Sequence, residues 1–138
     1  RNRIVHKYKP KIIVVYEGDN DIASGLTANE VIEDYDDFIN YVERTLPGTK
    51  VCFIAIKPSV RRESLWPTML QVNQEIHDRA ETQANLCFFD IGPPMLSETG
   101  GPRPELFVSD GLHLNSEGYK IWTAVIRSRL LAMWAEVH

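Results

Sequence analysis

The sequence lacks the features that mark nucleic-acid or membrane binding. Its 138 residues carry 15 Lys and Arg against 19 Asp and Glu, a net charge of −4, and the basic residues form no dense patch. Affinity for nucleic acid rests largely on Lys and Arg contacts to phosphate, so no nucleic-acid partner is predicted. The longest apolar runs are far too short to cross a bilayer, so no membrane span is predicted either.

Cysteine is also scarce, with only Cys52 and Cys87, and each lies inside an apolar run. Because buried cysteines usually behave as small hydrophobic residues, two free thiols are expected, with a disulfide between neighbouring strands as the alternative. A nucleophilic cysteine is disfavoured because burial raises the pKa of a thiol. No histidine or cysteine spacing is typical of zinc, and neither a metal nor a cofactor is predicted.

Three apolar segments have the character of buried strands. Residues 12–16, 51–56 and 86–91 are rich in β-branched or aromatic side chains and do not alternate with polar ones. Such runs are typical of strands covered on both faces, as in a parallel sheet.

Helical patterns alternate with these strands. Thr27 and Glu30 have the spacing of a capping box that opens a helix, and Pro47 ends it. A second helix is predicted from about Ser64, and a last one from about Asn115 whose buried side chains are Trp122, Ile126, Leu130 and Met133. The order predicts an α/β fold with three layers, α/β/α, around a parallel sheet, in a single domain spanning residues 1–138.

The predicted sheet is thin for its class. Three parallel strands leave little core between two helical layers, and the edges of such a sheet need protection. The chain also opens with Arg1 rather than Met and has no signal-peptide pattern. Both features lead to the expectation of a partial domain that lacks its N-terminal strands.

Two polar clusters follow predicted strands. Gly18-Asp19-Asn20-Asp21 comes after the first, and Asp110-Gly111-Leu112-His113 closes the long Gly- and Pro-rich loop, residues 92–114, that leaves the third. Ligands of open α/β sheets bind at the carboxyl ends of the strands. An aspartate three positions before a histidine can accept the imidazole Nδ1 proton and leave Nε2 free as a general base.

Arg61 and Arg62 follow the second strand at the same end of the sheet. A solvated loop is the expected environment of this pair, since Arg is mostly exposed in proteins. Contact with an anionic substrate is the alternative.

The two clusters resemble motifs of the SGNH hydrolases, also called GDSL-type lipases and esterases. Residues 18–21 match the Gly-x-Asn-Asp motif, residues 110–113 match the Asp-x-x-His motif, and residues 114–119 match the run that follows it. The resemblance extends from Lys9 to about Leu130. It implies a flavodoxin-like α/β/α fold, hydrolysis of carboxylic esters through an acyl-enzyme, a small-molecule ester as substrate and no cofactor.

The resemblance implies a role for each matching residue. His113 would be the general base, Asp110 would orient it, and Asn20 would donate its amide to the oxyanion. Gly18 would let the backbone pass close to the site without a Cβ. Asp21 would support the site as a brace of the local turn.

The departure from the family pattern concerns the nucleophile. The family's Gly-Asp-Ser motif, which carries the nucleophilic serine, is absent from this sequence, and so is the glycine of the family's second motif. The serines nearest the clusters fit capping or turn roles instead: Ser24, Ser64, Ser109 and Ser116. The nucleophilic serine is therefore expected upstream, and the chain alone is expected to be inactive. The alternative is an inactive binding module with the hydrolase fold, or a fragment that associates with its missing N-terminal segment or another chain.

Overall fold

A computed structural model describes the backbone of residues 11–16 and 18–137, and the side chains of these residues up to 132. Its centre is a parallel sheet of three strands in the order β1-β2-β3. The strands are β1 (Ile12–Val15), β2 (Lys50–Ile54) and β3 (Leu86–Phe89). All three lie where the apolar runs predict them, and the α/β fold with a parallel sheet is confirmed.

The described chain has four α-helices. Two follow β1, namely α1 (Asp19–Ala23) and α2 (Ala28–Thr45), while α3 (Trp66–Thr82) follows β2 and α4 (Ser116–Val137) follows β3. The predicted capping box is present, since Glu30 N donates to Thr27 Oγ1 at 3.2 Å and Thr27 N donates to Glu30 Oε1 at 3.1 Å. Helix α3 begins slightly later than predicted, because a 3₁₀ turn at Glu63–Leu65 precedes it.

Side chains of consecutive strand residues show how the layers are arranged. The ring of His77 on α3 packs edge-on against Phe88, with centroids 5.6 Å apart, whereas Arg129 on α4 lies 5.7 Å from the centroid of Phe89. Because successive residues of a strand point to opposite faces, α3 and α4 cover opposite sides of the sheet. Tyr35 on α2 packs on Phe53, the register partner of Phe88, and so joins α3 on its side.

The two cysteines correct the sequence prediction. Cys52 of β2 and Cys87 of β3 are register partners with Cα atoms 4.5 Å apart, and a disulfide joins them. The expectation of two free thiols is therefore wrong, and the alternative of a disulfide between neighbouring strands is the observed state. Burial was predicted from each run separately, whereas the pairing depends on the register between two runs.

The loop at 92–114 is ordered rather than open. It contains two 3₁₀ turns, at Pro93–Met95 and Pro104–Leu106. Isolated β-bridges pair Leu96 with Pro102 and Phe107 with Leu114. Met95, Leu106 and Phe107 are buried in the core. The loop therefore returns the chain from β3 to α4 as a packed element.

Helix α4 packs on the sheet through Ile126, which is buried, and through the partly buried Trp122 and Leu130. The predicted burial of Met133 lies outside the described side chains. Across the part of the chain that the structure describes, every helix is too short or too polar to cross a membrane.

Candidate active site

The turn that ends the long loop holds an aspartate–histidine pair. His113 Nδ1 lies 2.5 Å from Asp110 Oδ2. The other carboxylate oxygen, Oδ1, accepts hydrogen bonds from the backbone N–H of Leu112 at 2.8 Å and of His113 at 2.9 Å. The turn itself is closed by Gly111 N donating to Val108 O at 2.9 Å, with Gly111 at a φ of 68°.

These hydrogen bonds hold the carboxylate in its charged form. The His113 ring, followed by the backbone N–H groups of His113 and Leu112, lowers the pKa of Asp110 well below its usual range. A permanently charged acceptor at Nδ1 favours the tautomer that carries its proton there. His113 Nε2 is then free to accept a proton.

His113 opens onto a cavity at the carboxyl end of the sheet. Its side chain is 70% exposed, and the cavity measures about 330 Å³. Residues that follow β1 and β2, together with residues of α1, the Asp110 turn and α4, line it: Tyr16, Asp19, Asn20, Lys57, Leu112, His113, Leu114, Tyr119 and Trp122.

Asn20 reaches this cavity from the first polar cluster. Gly18 begins α1 with a φ of 108°, which non-glycine residues rarely adopt, and Asn20 follows within the helix. A Cβ at position 18 would stand 2.8 Å from Ile56 Cδ1, so the chain passes tightly against the end of β2. The structure thus brings Asn20 and His113 to the same cavity from distant parts of the sequence.

Asp21, the fourth residue of that cluster, does not line the cavity. Its backbone carbonyl accepts from Ser24 Oγ at 2.9 Å and from Leu26 N at 3.0 Å. These bonds close the C-terminal end of α1.

Two basic residues beyond β2 pair with Asp19, and one of them, Lys57, lines the cavity. Arg62 Nε lies 2.8 Å from Asp19 Oδ1, and Lys57 Nζ lies 3.6 Å from Asp19 Oδ2. Burial lowers the pKa of Lys57, and the neighbouring Asp19 carboxylate opposes that shift. The expectation of a solvated loop holds for Arg61, which is exposed, but is wrong for Arg62, whose side chain is only 17% exposed.

Much of this wall was not predicted from the sequence, namely Tyr16, Lys57, Leu112 and Tyr119. Lys57 could have been suspected from its position at the carboxyl end of β2. Trp122, expected to serve in core or rim packing, lines the cavity and packs edge-on against Tyr16 with ring centroids 6.3 Å apart.

The described residues supply no nucleophile to this cavity, since no serine, threonine or cysteine lines it. They also contain no group of three His, Cys, Asp or Glu side chains that could hold a metal ion.

The arrangement can be compared with known proteins. The model of the GDSL-like lipase/acylhydrolase family matches residues 1–121 of this chain. The chain belongs to this family. No curated protein sequence compared with the chain matches it significantly.

Solved structures of GDSL-like and related esterases share the fold. A carbohydrate esterase of family 3 from Talaromyces cellulolyticus is 24% identical with a TM-score of 0.80, over 97% of this chain and 63% of its own. A GDSL-like lipase from Bacteroides thetaiotaomicron is 20% identical with a TM-score of 0.72, over 90% and 63%. The esterase domain of the ORF1 protein from the zebrafish ZfL2-1 retrotransposon is 27% identical with a TM-score of 0.65, over 84% and 65%. The chain spans less than two thirds of the length of each of these three proteins.

Proposed function

We propose that this chain carries the base and the oxyanion donor of a serine carboxylic ester hydrolase, with His113 as general base, Asp110 orienting it and Asn20 as donor. The nucleophilic serine comes from sequence upstream of this chain. The observation that supports this most is the shared cavity. Asn20 and His113 line the same cavity at the carboxyl end of the sheet, and Asp110 holds Nδ1 of His113.

The acylation step follows from these positions. His113 Nε2 takes the proton of the serine hydroxyl as the serine oxygen bonds to the carbonyl carbon of the ester. The carbonyl oxygen becomes an oxyanion, and the Asn20 side-chain amide donates to it. Asp110 stabilises the imidazolium that forms. The intermediate then expels the alcohol, which leaves with the proton from His113.

Deacylation repeats the sequence with water. His113 removes a proton from the attacking water, and Asn20 again donates to the oxyanion. The carboxylic acid leaves as the serine oxygen recovers its proton from His113. The hydrolysed ester yields one acid and one alcohol, and the protein returns to its starting state.

One observation favours a second candidate function. Within the described residues the cavity has no side chain that could form the acyl-enzyme. A hydrolase-fold module that binds an ester without cleaving it, or that associates with another chain, would have this composition. The full set of base, orienter and amide donor favours the enzyme, because a binder needs no general base.

The test is expression of the chain together with the gene segment that precedes it, with turnover of 4-nitrophenyl acetate as the assay. His113→Ala should lower kcat by roughly 10⁴–10⁶-fold, because the serine loses its base. His77→Ala is the matched control, since His77 lies on α3 and lines a different cavity. It should leave kcat unchanged.

Turnover that survives His113→Ala would contradict the proposed role of His113. Ester binding without turnover, from a gene that supplies no upstream serine, would favour the binding module instead.

A further inference from the structure

We propose that Arg62 is a positioning residue for the oxyanion donor, holding the Asn20 amide with its N–H groups toward the reacting ester. This inference rests on the proposed function, and it concerns a side chain that the family motifs do not include.

The Arg62 guanidinium bridges two consecutive residues of α1. Its Nε lies 2.8 Å from Asp19 Oδ1, and its Nη2 donates a long hydrogen bond to Asn20 Oδ1 at 3.4 Å, beyond the usual range of about 2.7–3.2 Å. The Arg62 and Asp19 side chains are 17% and 13% exposed, so solvent screens their attraction only in part. Asp19 therefore anchors the guanidinium beside the Asn20 amide.

The backbone under Arg62 is fixed independently of its side chain. Arg62 N donates to Oγ of the buried Ser59 at 3.3 Å, and Arg61 N donates to Gly111 O at 2.9 Å. The second bond ties this loop directly to the turn that carries Asp110 and His113. Removing the guanidinium should leave the loop in place and change mainly what Asn20 faces.

The chemistry of the two groups determines how the amide is oriented. A guanidinium has five N–H donors and no acceptor, so only the oxygen of the Asn20 amide can face it. Nδ2 is then turned away from Arg62, where its N–H groups can serve an oxyanion. Rotated by half a turn, the amide would present Oδ1 to the developing negative charge and repel it.

The same contact should strengthen the donor. A hydrogen bond from a cation to a carbonyl oxygen draws electron density from the amide, which makes the amide N–H groups better donors. Arg62 would thus act on the transition state through Asn20, without touching the substrate.

A double-mutant cycle in the protein expressed with its upstream segment separates this role from a structural one. Arg62→Ala should lower kcat by roughly tenfold or more, up to the loss of about 10²–10³ that is typical of removing an oxyanion donor, and change KM by less than about threefold. In the Asn20→Ala background the same substitution should lower kcat by less than about threefold. Arg61→Ala, at the neighbouring exposed position, is the control and should leave both constants unchanged.

An Arg62→Ala effect of equal size in both backgrounds would overturn the proposal, because a structural role does not depend on Asn20. An unchanged kcat in Arg62→Ala alone would overturn it as well. If Arg62→Ala does not fold, Arg62→Lys carries the same cycle, because an ammonium can keep the pair with Asp19 but lacks the planar fork that bridges to Asn20. His113→Ala in parallel keeps the two claims apart: loss there with no loss in Arg62→Ala refutes only the positioning role.

Discussion

The Asp110 turn and the Asn20 segment line the same cavity, but different kinds of contact hold them. The hydrogen bonds to the Asp110 carboxylate come from Leu112 and His113 within the turn, and the His113 side chain is 70% exposed. Asn20 is held by partners far along the chain, with Arg62 beside its amide and Ile56 against the glycine that begins its helix. The proposed base is therefore shaped by its own turn. The proposed oxyanion donor is exposed as well, but it depends on the packing of Gly18 and on Arg62.

This difference predicts two kinds of mutational effect. Substitutions in the exposed turn should change the chemistry and leave folding almost untouched. Substitutions beneath Asn20 should reduce stability and turnover together, because the same contacts support the fold and the donor.

The largest effect expected on the turn side is that of Asp110→Asn. The new side chain can still accept from the backbone N–H groups of Leu112 and His113 through Oδ1, so the turn should persist. Its NH₂ group would face His113 Nδ1 and favour the tautomer with the proton on Nε2, where the base needs a lone pair. The expected loss of kcat is about 10⁴-fold, with only a small decrease in the midpoint of urea unfolding, because the stabilised carboxylate lies at the surface.

Asp78→Asn is the matched control, since Asp78 Oδ1 also lies near a histidine Nδ1, that of His77, at 3.7 Å and on an exposed face. It should alter neither quantity. If Asp110→Asn lowers the unfolding midpoint as much as Gly18→Ala does, the turn is not the separate local structure described.

A smaller effect on turnover, joined to a loss of stability, is expected for Gly18→Ala. Alanine at a φ of 108° is strained, and its Cβ would approach Ile56 Cδ1 at 2.8 Å and the Tyr35 hydroxyl at 3.3 Å. The expected destabilisation is about 1–3 kcal/mol by urea unfolding, with a lower kcat because α1 and Asn20 must shift.

Gly25→Ala separates the two causes. Gly25 has a φ of 109°. Among the described residues, no heavy atom beyond Gly25 and the residues next to it in the chain lies within 4 Å of the position that a Cβ would take. It should show only the cost of the backbone conformation and keep its kcat. If Gly18→Ala and Gly25→Ala lower stability and kcat by equal amounts, the packing beneath Asn20 does not matter to the proposed donor.

The sequence predicts the local features well. The three strands, the capping box at Thr27 and the helix after Asn115 follow from patterns that neighbouring residues share, and the structure places them where expected. The spacing of Asp110 and His113 likewise contains the information for their pairing, because one turn of chain brings the two side chains together.

Features that depend on register between distant segments were not predictable in this way. The Cys52–Cys87 disulfide requires β2 and β3 to align residue for residue, and the two apolar runs are compatible with several registers. The Asp19–Arg62 pair requires the loop after β2 to fold back over α1, which no local pattern encodes. Arg62 was expected in solvent for that reason.

The most direct test of the central claim is a crystal structure of the protein with its upstream segment, after inactivation by a fluorophosphonate. We expect an adduct on a serine that precedes residue 1 of this chain, with the phosphoryl oxygen about 3 Å from Asn20 Nδ2 and His113 within hydrogen-bond reach of the serine oxygen. An adduct on a serine within residues 1–138, or a phosphoryl oxygen that faces away from Asn20, would contradict it.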